Sequence, residues 1–536
     1  MNFSALVDSL TFDALQLEWL KDQLRPAGAA GRRAAAHFEP YASGREEAAA
    51  ARLSAIWTLA QNLQVSQADA VASVFRSLPD ALPILARVCV GEVLEDADLL
   101  ELQRFLDGAK SVSELLADAY ERKYFGSAAR EVAEMLEPGR TAEGFYLDCA
   151  FDETLRAERA KAQGAAAEES AARARLAQRV TDELGRPDIG SGEFIIMRDE
   201  VPTLPPGLRV TREAPTYYLC ELELDEAALD ALQRREEADA SVAGAERSVR
   251  ERLSATVRDR GEDLRELSGA LGDLDLLIAQ VRFTQRHRCI VPEIVDDGSL
   301  DLEDARYLPL ADALEREHRR YEPISISFDR VCVVTGPNMG GKSAALRTCG
   351  FLALLCAFGI PVPARSARIG LMDRVGWLGI ASLEREEVLL STFAREIVRL
   401  NELLNDPAHR MLLLVDEFAR TTTPREGQAL SSALVLALRR RKRTAILATH
   451  LSGVASSSKA PHFAVRGLRR LPTGKAHDLK AALDELTDAM DYRLAEIDED
   501  VQPAGDAIAL ARLLGTDDAL IADATQALEK TAAWSL

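Results

Sequence analysis

Three short segments in the C-terminal half hold residues whose types and spacing suit phosphate chemistry. The run Val331-Cys332-Val333-Val334-Thr335 precedes Gly336-Pro337-Asn338-Met339-Gly340-Gly341-Lys342-Ser343, and Ala344-Ala345-Leu346-Arg347 follows. A buried strand, a Gly-x-x-x-x-Gly-Lys-Ser turn and a helix, in that order, make a phosphate cradle. Glycines let backbone N–H groups approach the phosphates, and the helix N-terminus adds a favourable dipole. Lys342 is expected to contact the β- and γ-phosphates and Ser343 to ligate Mg²⁺. The plain alternative is a glycine-rich turn without function.

A second apolar run, Met411-Leu412-Leu413-Leu414-Val415, ends in Asp416-Glu417. A carboxylate at such a strand end can hold Mg²⁺ through its water shell, so Asp416 is the expected metal residue. The next carboxylate can orient or deprotonate an attacking water, which is the catalytic role expected of Glu417. A third run, Thr444-Ala445-Ile446-Leu447-Ala448, ends in Thr449-His450 and places His450 where a γ-phosphate could be sensed. Alone, a histidine there reads as structural; after the other two motifs it is a second catalytic candidate. Ser391 precedes an Arg/Glu-rich helical run and reads as a helix N-cap.

These segments need an α/β frame, and from about Arg282 onward short apolar runs do alternate with helical segments. Upstream the pattern is different. From Phe3 to about Leu136 it is helical, broken at Pro40, Pro79 and Pro83. From Thr154 to about Leu184 an Ala/Glu/Arg-rich stretch reads as one long solvated helix. Phe194-Ile195-Ile196-Met197 and Tyr217-Tyr218-Leu219-Cys220 are β-type runs separated by Pro202, Pro205, Pro206 and Gly207, so a small sheet or hairpin is expected there. Another charged helical stretch runs from Asp225 to about Gln280, completing an out-and-back arm. The expected domains are a helical core over 1–150, a lever or clamp arm with a small β insertion over 151–281, and an α/β nucleotide-binding domain with a helical tail over 282–536.

A chain of 536 residues is too long for one compact core, and at roughly 150 residues per domain about three or four units are expected. Hydrophobic residues make up 47% and aromatics 5%, a balance that favours helices. With 65 basic and 86 acidic residues the net charge is −21, which repels phosphate backbones unless a local basic surface opposes it. Seven cysteines without a Cys-x-x-Cys pair indicate neither a zinc site nor a disulfide framework and fit a reducing cytoplasm. No apolar run reaches the roughly 20 residues needed to span a bilayer, and no leader pattern opens the chain. Phe351 to Phe358 is expected to be part of a buried helix.

The phosphate loop resembles that of the MutS family, whose Pro-Asn-Met insertion matches Pro337-Asn338-Met339. The order continues through Pro363-Ala364, Asp373-Arg374, Ser391-Thr392-Phe393, Asp416-Glu417 with Arg420, and Ala448-Thr449-His450, with good matching over about Tyr321 to Val465. The resemblance implies a P-loop ATPase domain of ABC/MutS type that binds ATP and Mg²⁺. It also implies a homodimer, or a heterodimer with a MutS-like subunit, in which Ser391 of one subunit approaches the γ-phosphate held by the other. Two departures bear on this: Val388-Leu389-Leu390 precedes Ser391 where small or polar residues are usual, and Ala419 and Thr421 stand where glycines flank Arg420 in the family.

Mismatch-repair members of the family carry an N-terminal module with a Phe-x-Glu motif, whereas this chain opens with the helical core. Phe151-Asp152-Glu153 has the letters but stands at the start of the long helix. A nuclease-like Smr tail is not expected after the nucleotide-binding domain. Between Glu221 and Glu266 there are 14 acidic and 8 basic residues, net −6, a poor clamp for DNA. The tail, with Met490-Asp491-Tyr492-Arg493-Leu494 and Ala507 to Gly515, is similar to that of MutS-like ATPases that reactivate adenosylcobalamin-dependent lysine aminomutases. Two partner classes therefore stand open: DNA, bound weakly and without mismatch reading, and a cobalamin enzyme.

Overall fold

The computed structural model describes the chain except residues 118–124, 142–143, 186–188, 190–191, 202, 337–340, 380–390, 469–489, 498–507, 509–510, 513–514 and 534–536. It divides into two compact units. One comprises Met1–Ser77, Glu114–Arg122 and Ala270–Leu536; the other comprises Leu78–Ser113 and Lys123–Gly269.

The first unit is built on a mixed six-stranded sheet. Its strands, numbered in chain order, are β7 (Val331–Thr335), β9 (Arg374–Gly379), β10 (Met411–Asp416), β11 (Thr444–Ala448), β12 (His462–Leu468) and β13 (Met490–Glu496), arranged β13-β12-β7-β11-β10-β9. All pairings are parallel except the antiparallel edge pair β12–β13. A smaller sheet stands beside it in the order β4-β8-β5-β6, from Glu293–Val295, Leu300–Ala305, Ile324–Phe328 (β6) and Ser366–Gly370 (β8).

The central strands read as continuous apolar runs because both faces of the sheet are covered. Cys332 and Val334 of β7, Leu412 and Leu414 of β10, and Ile446 and Ala448 of β11 enter one core cluster, which includes helix α13 (Lys342–Ala357). Their neighbours Val331, Val333, Leu413, Val415, Ala445 and Leu447 enter a second cluster, with α14 (Thr392–Leu404) and α15 (Pro424–Arg440). The apolar run Phe351 to Phe358 is thus the buried end of α13 and the residue that caps it. Among the described residues no helix is long and apolar enough to cross a membrane.

The edge strand β9 is closed by the N-terminal segment. Val375 N–H donates to the Leu6 carbonyl at 2.8 Å, and Trp377 N–H donates to Thr11 Oγ1 at 3.0 Å. Asp8 caps the helix α1 (Ser9–Ala14) through the Thr11 amide and pairs with the nearly buried Arg399 of α14. An exposed row of strand N–H and C=O groups is thereby removed.

In the second unit, α9 (Glu153–Leu184) and α10 (Glu226–Asp259) pack side by side, joined through the three-stranded antiparallel sheet β1-β3-β2 from Phe194–Met197, Leu208–Glu213 and Tyr217–Leu222. Ion pairs run along the helices: Asp152 with Arg252, Arg159 with Glu246, Glu169 with Arg235, and Arg179 with Asp225. Numbers rise on one helix as they fall on the other, so the pair is antiparallel and in fixed register. Small side chains, Ala172, Ala228 and Ala231, fill the seam between them. The Phe151-Asp152-Glu153 letters mark a helix start, since the Asp152 carboxylate accepts the Thr154 and Leu155 amides at 2.7 and 3.3 Å. The charged stretch after Asp225 is helical as expected and consists of two helices, α10 and then α11 (Gly261–Arg286), divided at Arg260.

Candidate phosphate-binding site

The glycine-rich loop leaves β7 at Gly336 and enters α13 at Gly341. Both glycines are required by their backbone: φ is +148° at Gly336 and +89° at Gly341. A side chain at Gly336 would meet Val465 at 2.9 Å, and one at Gly341 would meet the Tyr492 ring at 3.3 Å. Pro337, Asn338, Met339 and Gly340 lie outside the described residues.

Lys342 opens α13 with only 5% of its surface exposed. Its Nζ turns back over the loop, donating to the Gly336 carbonyl at 2.9 Å, and lies 3.7 Å from Glu417 Oε1. Burial pulls its pKa down, opposed by the Glu417 and Asp416 carboxylates. Ser343 donates its hydroxyl to Asp416, with the two carboxylate oxygens 2.8 and 3.0 Å away. Burial raises the Asp416 pKa and the nearby Glu417 charge adds to it, while the Ser343 hydrogen bond works the other way.

Glu417 is the hub of the cluster. Its amide donates to the Ala448 carbonyl at 2.9 Å, continuing the β10–β11 ladder one residue beyond the strand. Its carboxylate accepts from Arg420 Nη1 at 2.9 Å and lies 3.9 Å from His450 Nδ1. Thr449 N–H donates to the Val334 carbonyl at 2.9 Å, which holds the end of β11 against β7 and keeps half-exposed His450 beside the acids. Lys342, Ser343, Asp416, Glu417 and His450, named from separate segments, thus meet at the C-terminal ends of three adjacent parallel strands. Ser391 caps α14, its exposed side chain accepting the Ala394 amide at 3.3 Å, and among the described residues no hydrogen bond joins it to this cluster. Val388-Leu389-Leu390 lies outside the described residues.

Sequence reasoning missed Glu396 of α14. It is fully buried, and its Oε2 accepts the Ala419 amide at 3.1 Å. Burial pushes its pKa up to about 7, against the pull of that amide. The signal was an acid on an apolar helix face, between Phe393 and Leu400 at helical spacing. Tyr492 of β13 lays its ring on Gly341, a contact that the pattern of the tail does not reveal.

Residues 332–531 match the family model of MutS domain V. Over this stretch the chain is similar to the MutS family. An Endonuclease MutS2 of Streptococcus pneumoniae (strain Taiwan19F-14) is 26% identical over 283 residues, 53% of this chain and 34% of that protein. An Endonuclease MutS2 of Fusobacterium nucleatum subsp. nucleatum is 31% identical over 209 residues, 39% of this chain and 26% of that protein. The matched stretch spans about a third or less of these relatives, and within this chain the MutS match takes in the whole candidate site, from β7 through α13, α14 and β10 to β13.

Proposed function

We propose that the chain is a Mg²⁺-dependent P-loop ATPase of ABC/MutS type that couples ATP binding and hydrolysis to clamping or remodelling of a macromolecular partner. The convergence of Lys342, Ser343, Asp416 and Glu417 around one loop carries the reading. Lys342 exchanges the Gly336 carbonyl for the β- and γ-phosphates, and its burial strengthens each charge-assisted hydrogen bond it makes there. The hydroxyl of Ser343 and the carboxylate of Asp416 are hard oxygen donors within 3.0 Å of each other and fit Mg²⁺. That ion would neutralise charge on the phosphates. Glu417, oriented by Arg420, accepts a proton from the water that attacks the γ-phosphorus as ADP departs, and His450 faces the transferred γ-phosphoryl group.

The sites work in pairs, with Ser391 of one subunit completing the site of the other. Mixing Lys342→Ala with Ser391→Ala subunits then restores turnover, because both lesions fall in one composite site and leave the second wild type. A site complete within one chain leaves both damaged, so mixed activity no greater than the average of the two single variants counts against sharing.

The partner is read from the arm. Arg179, Arg235, Arg252, Arg250 and Arg260 are committed to Asp225, Glu169, Asp152, Asp96 and Glu131, so these guanidinium groups already have carboxylate partners. Added to the net −6 of residues 221–266, this supports weak DNA binding without mismatch preference. It also favours a second reading, in which the ATPase releases damaged cofactor from an adenosylcobalamin-dependent lysine aminomutase. Binding to matched, mismatched and branched duplexes, with and without ATP, distinguishes them. Any affinity is expected to fall steeply with salt and to ignore mismatches. Tight, mismatch-selective binding at near-physiological salt would return the chain to mismatch repair.

A further inference from the structure

The loop that follows β10 holds two non-glycine residues in the left-handed region, Glu417 at φ +56° and Ala419 at φ +61°. Such a turn persists only where its surroundings hold it. On one side, α15 presses close: a side chain at Gly427 would come within 3.1 Å of the Ala419 carbonyl oxygen. On the other side stands Glu396, in the second turn of α14 and fully out of water. Its Oε2 accepts the Ala419 amide at 3.1 Å, and its Oε1 has no hydrogen-bond partner among the described residues. Burying a carboxyl group for a single amide costs more than burying an apolar side chain would, and Phe393, Ile397, Leu400 and Leu403 of the same helix all join the second core cluster. A purely packing role does not explain an acid there.

We propose that Glu396 is a positioning residue that ties the left-handed turn at Ala419 to α14, so that the placement of Glu417 beside Lys342 follows the placement of that helix. The proposal rests on the ATPase reading above and adds a route within it. Ser391 caps the same helix, five residues before Glu396. A contact made at Ser391 therefore reaches the acidic pair through a turn and a half of helix and one hydrogen bond. Either protonation state of Glu396 can serve, because a neutral acid still offers its carbonyl oxygen to the amide.

The test uses the full chain and measures ATP affinity and turnover separately. Glu396→Gln keeps an acceptor oxygen and is expected to hold kcat within about threefold of the parent. Glu396→Ala is expected to lose about 10- to 100-fold in kcat with ATP affinity changed by less than about threefold, the signature of a displaced Glu417. Adding Ala419→Gly to Glu396→Ala should recover most of that loss, since glycine takes the left-handed turn without a tether. Unchanged kcat in Glu396→Ala, no recovery in the double variant, or a glutamine variant as impaired as the alanine one would overturn the proposal. If Glu396→Ala does not fold, Glu396→Gln carries the test, and loss of its turnover is the adverse result. A parent chain without ATP turnover overturns the ATPase reading and this proposal together; an active parent indifferent to Glu396→Ala overturns this one alone.

Discussion

Glu417→Gln is expected to bind ATP as the parent does and to hydrolyse it about 10²–10⁴-fold more slowly, the usual cost of losing a general base. The substitution preserves volume, and the amide oxygen can still accept from Arg420, which now holds the carboxylate at 2.9 Å. The ladder bond from the residue 417 amide to Ala448 does not depend on the side chain. What is lost is the negative charge and the site for the proton. Phosphate release under saturating ATP, set against an equilibrium titration with a fluorescent ATP analogue, separates the two effects. Turnover at the parent rate would move the catalytic role to another group, and His450, 3.9 Å away, would be the next to replace.

Lys342→Met is expected to weaken Mg²⁺-ATP binding by about 100-fold or more. A charge-assisted hydrogen bond contributes about 1.5–3 kcal/mol, and each 1.4 kcal/mol is about tenfold in affinity. Lys342 is placed to make such bonds to two phosphates. Methionine retains the apolar stem that is buried at this position, so the loss reports on the ammonium rather than on a cavity. The variant also leaves the Gly336 carbonyl without its 2.9 Å donor, and a thermal unfolding scan run alongside measures that separate cost. Parent-like affinity would show that the loop does not hold phosphate.

The parts of the site that were legible in the sequence are those fixed by short-range pattern. The runs ending in Thr335, Asp416 and Ala448 announce strands because their residues alternate between two covered faces, and each motif sits at its strand's end. Asp152 and Asp225 announce helix starts through their capping amides. The family resemblance aligns the three strand-end motifs, and the MutS domain V match spans those motifs. The illegible parts depend on contacts distant in the chain. Nothing near Val375 shows that Leu6 closes the edge of β9, and nothing in Thr392–Leu404 alone says that Glu396 meets Ala419. A buried acid and an exposed acid are the same letter; only the packing of α14 on the second core cluster distinguishes them.

The charge ladder between α9 and α10 has a mechanical consequence. Each rung is a partly exposed ion pair that contributes little to stability, about 0–1 kcal/mol, and small alanines fill part of the seam between the helices. Sliding one helix past the other by one turn, about 5.4 Å, would nonetheless part Asp152 from Arg252, Arg159 from Glu246, Glu169 from Arg235 and Arg179 from Asp225 all at once. The hairpin can flex sideways at small cost, but it resists telescoping. Force applied along its axis is therefore carried from one end to the other as displacement, and high salt, which dissolves the rungs without unfolding the helices, converts a stiff rod into a slipping one.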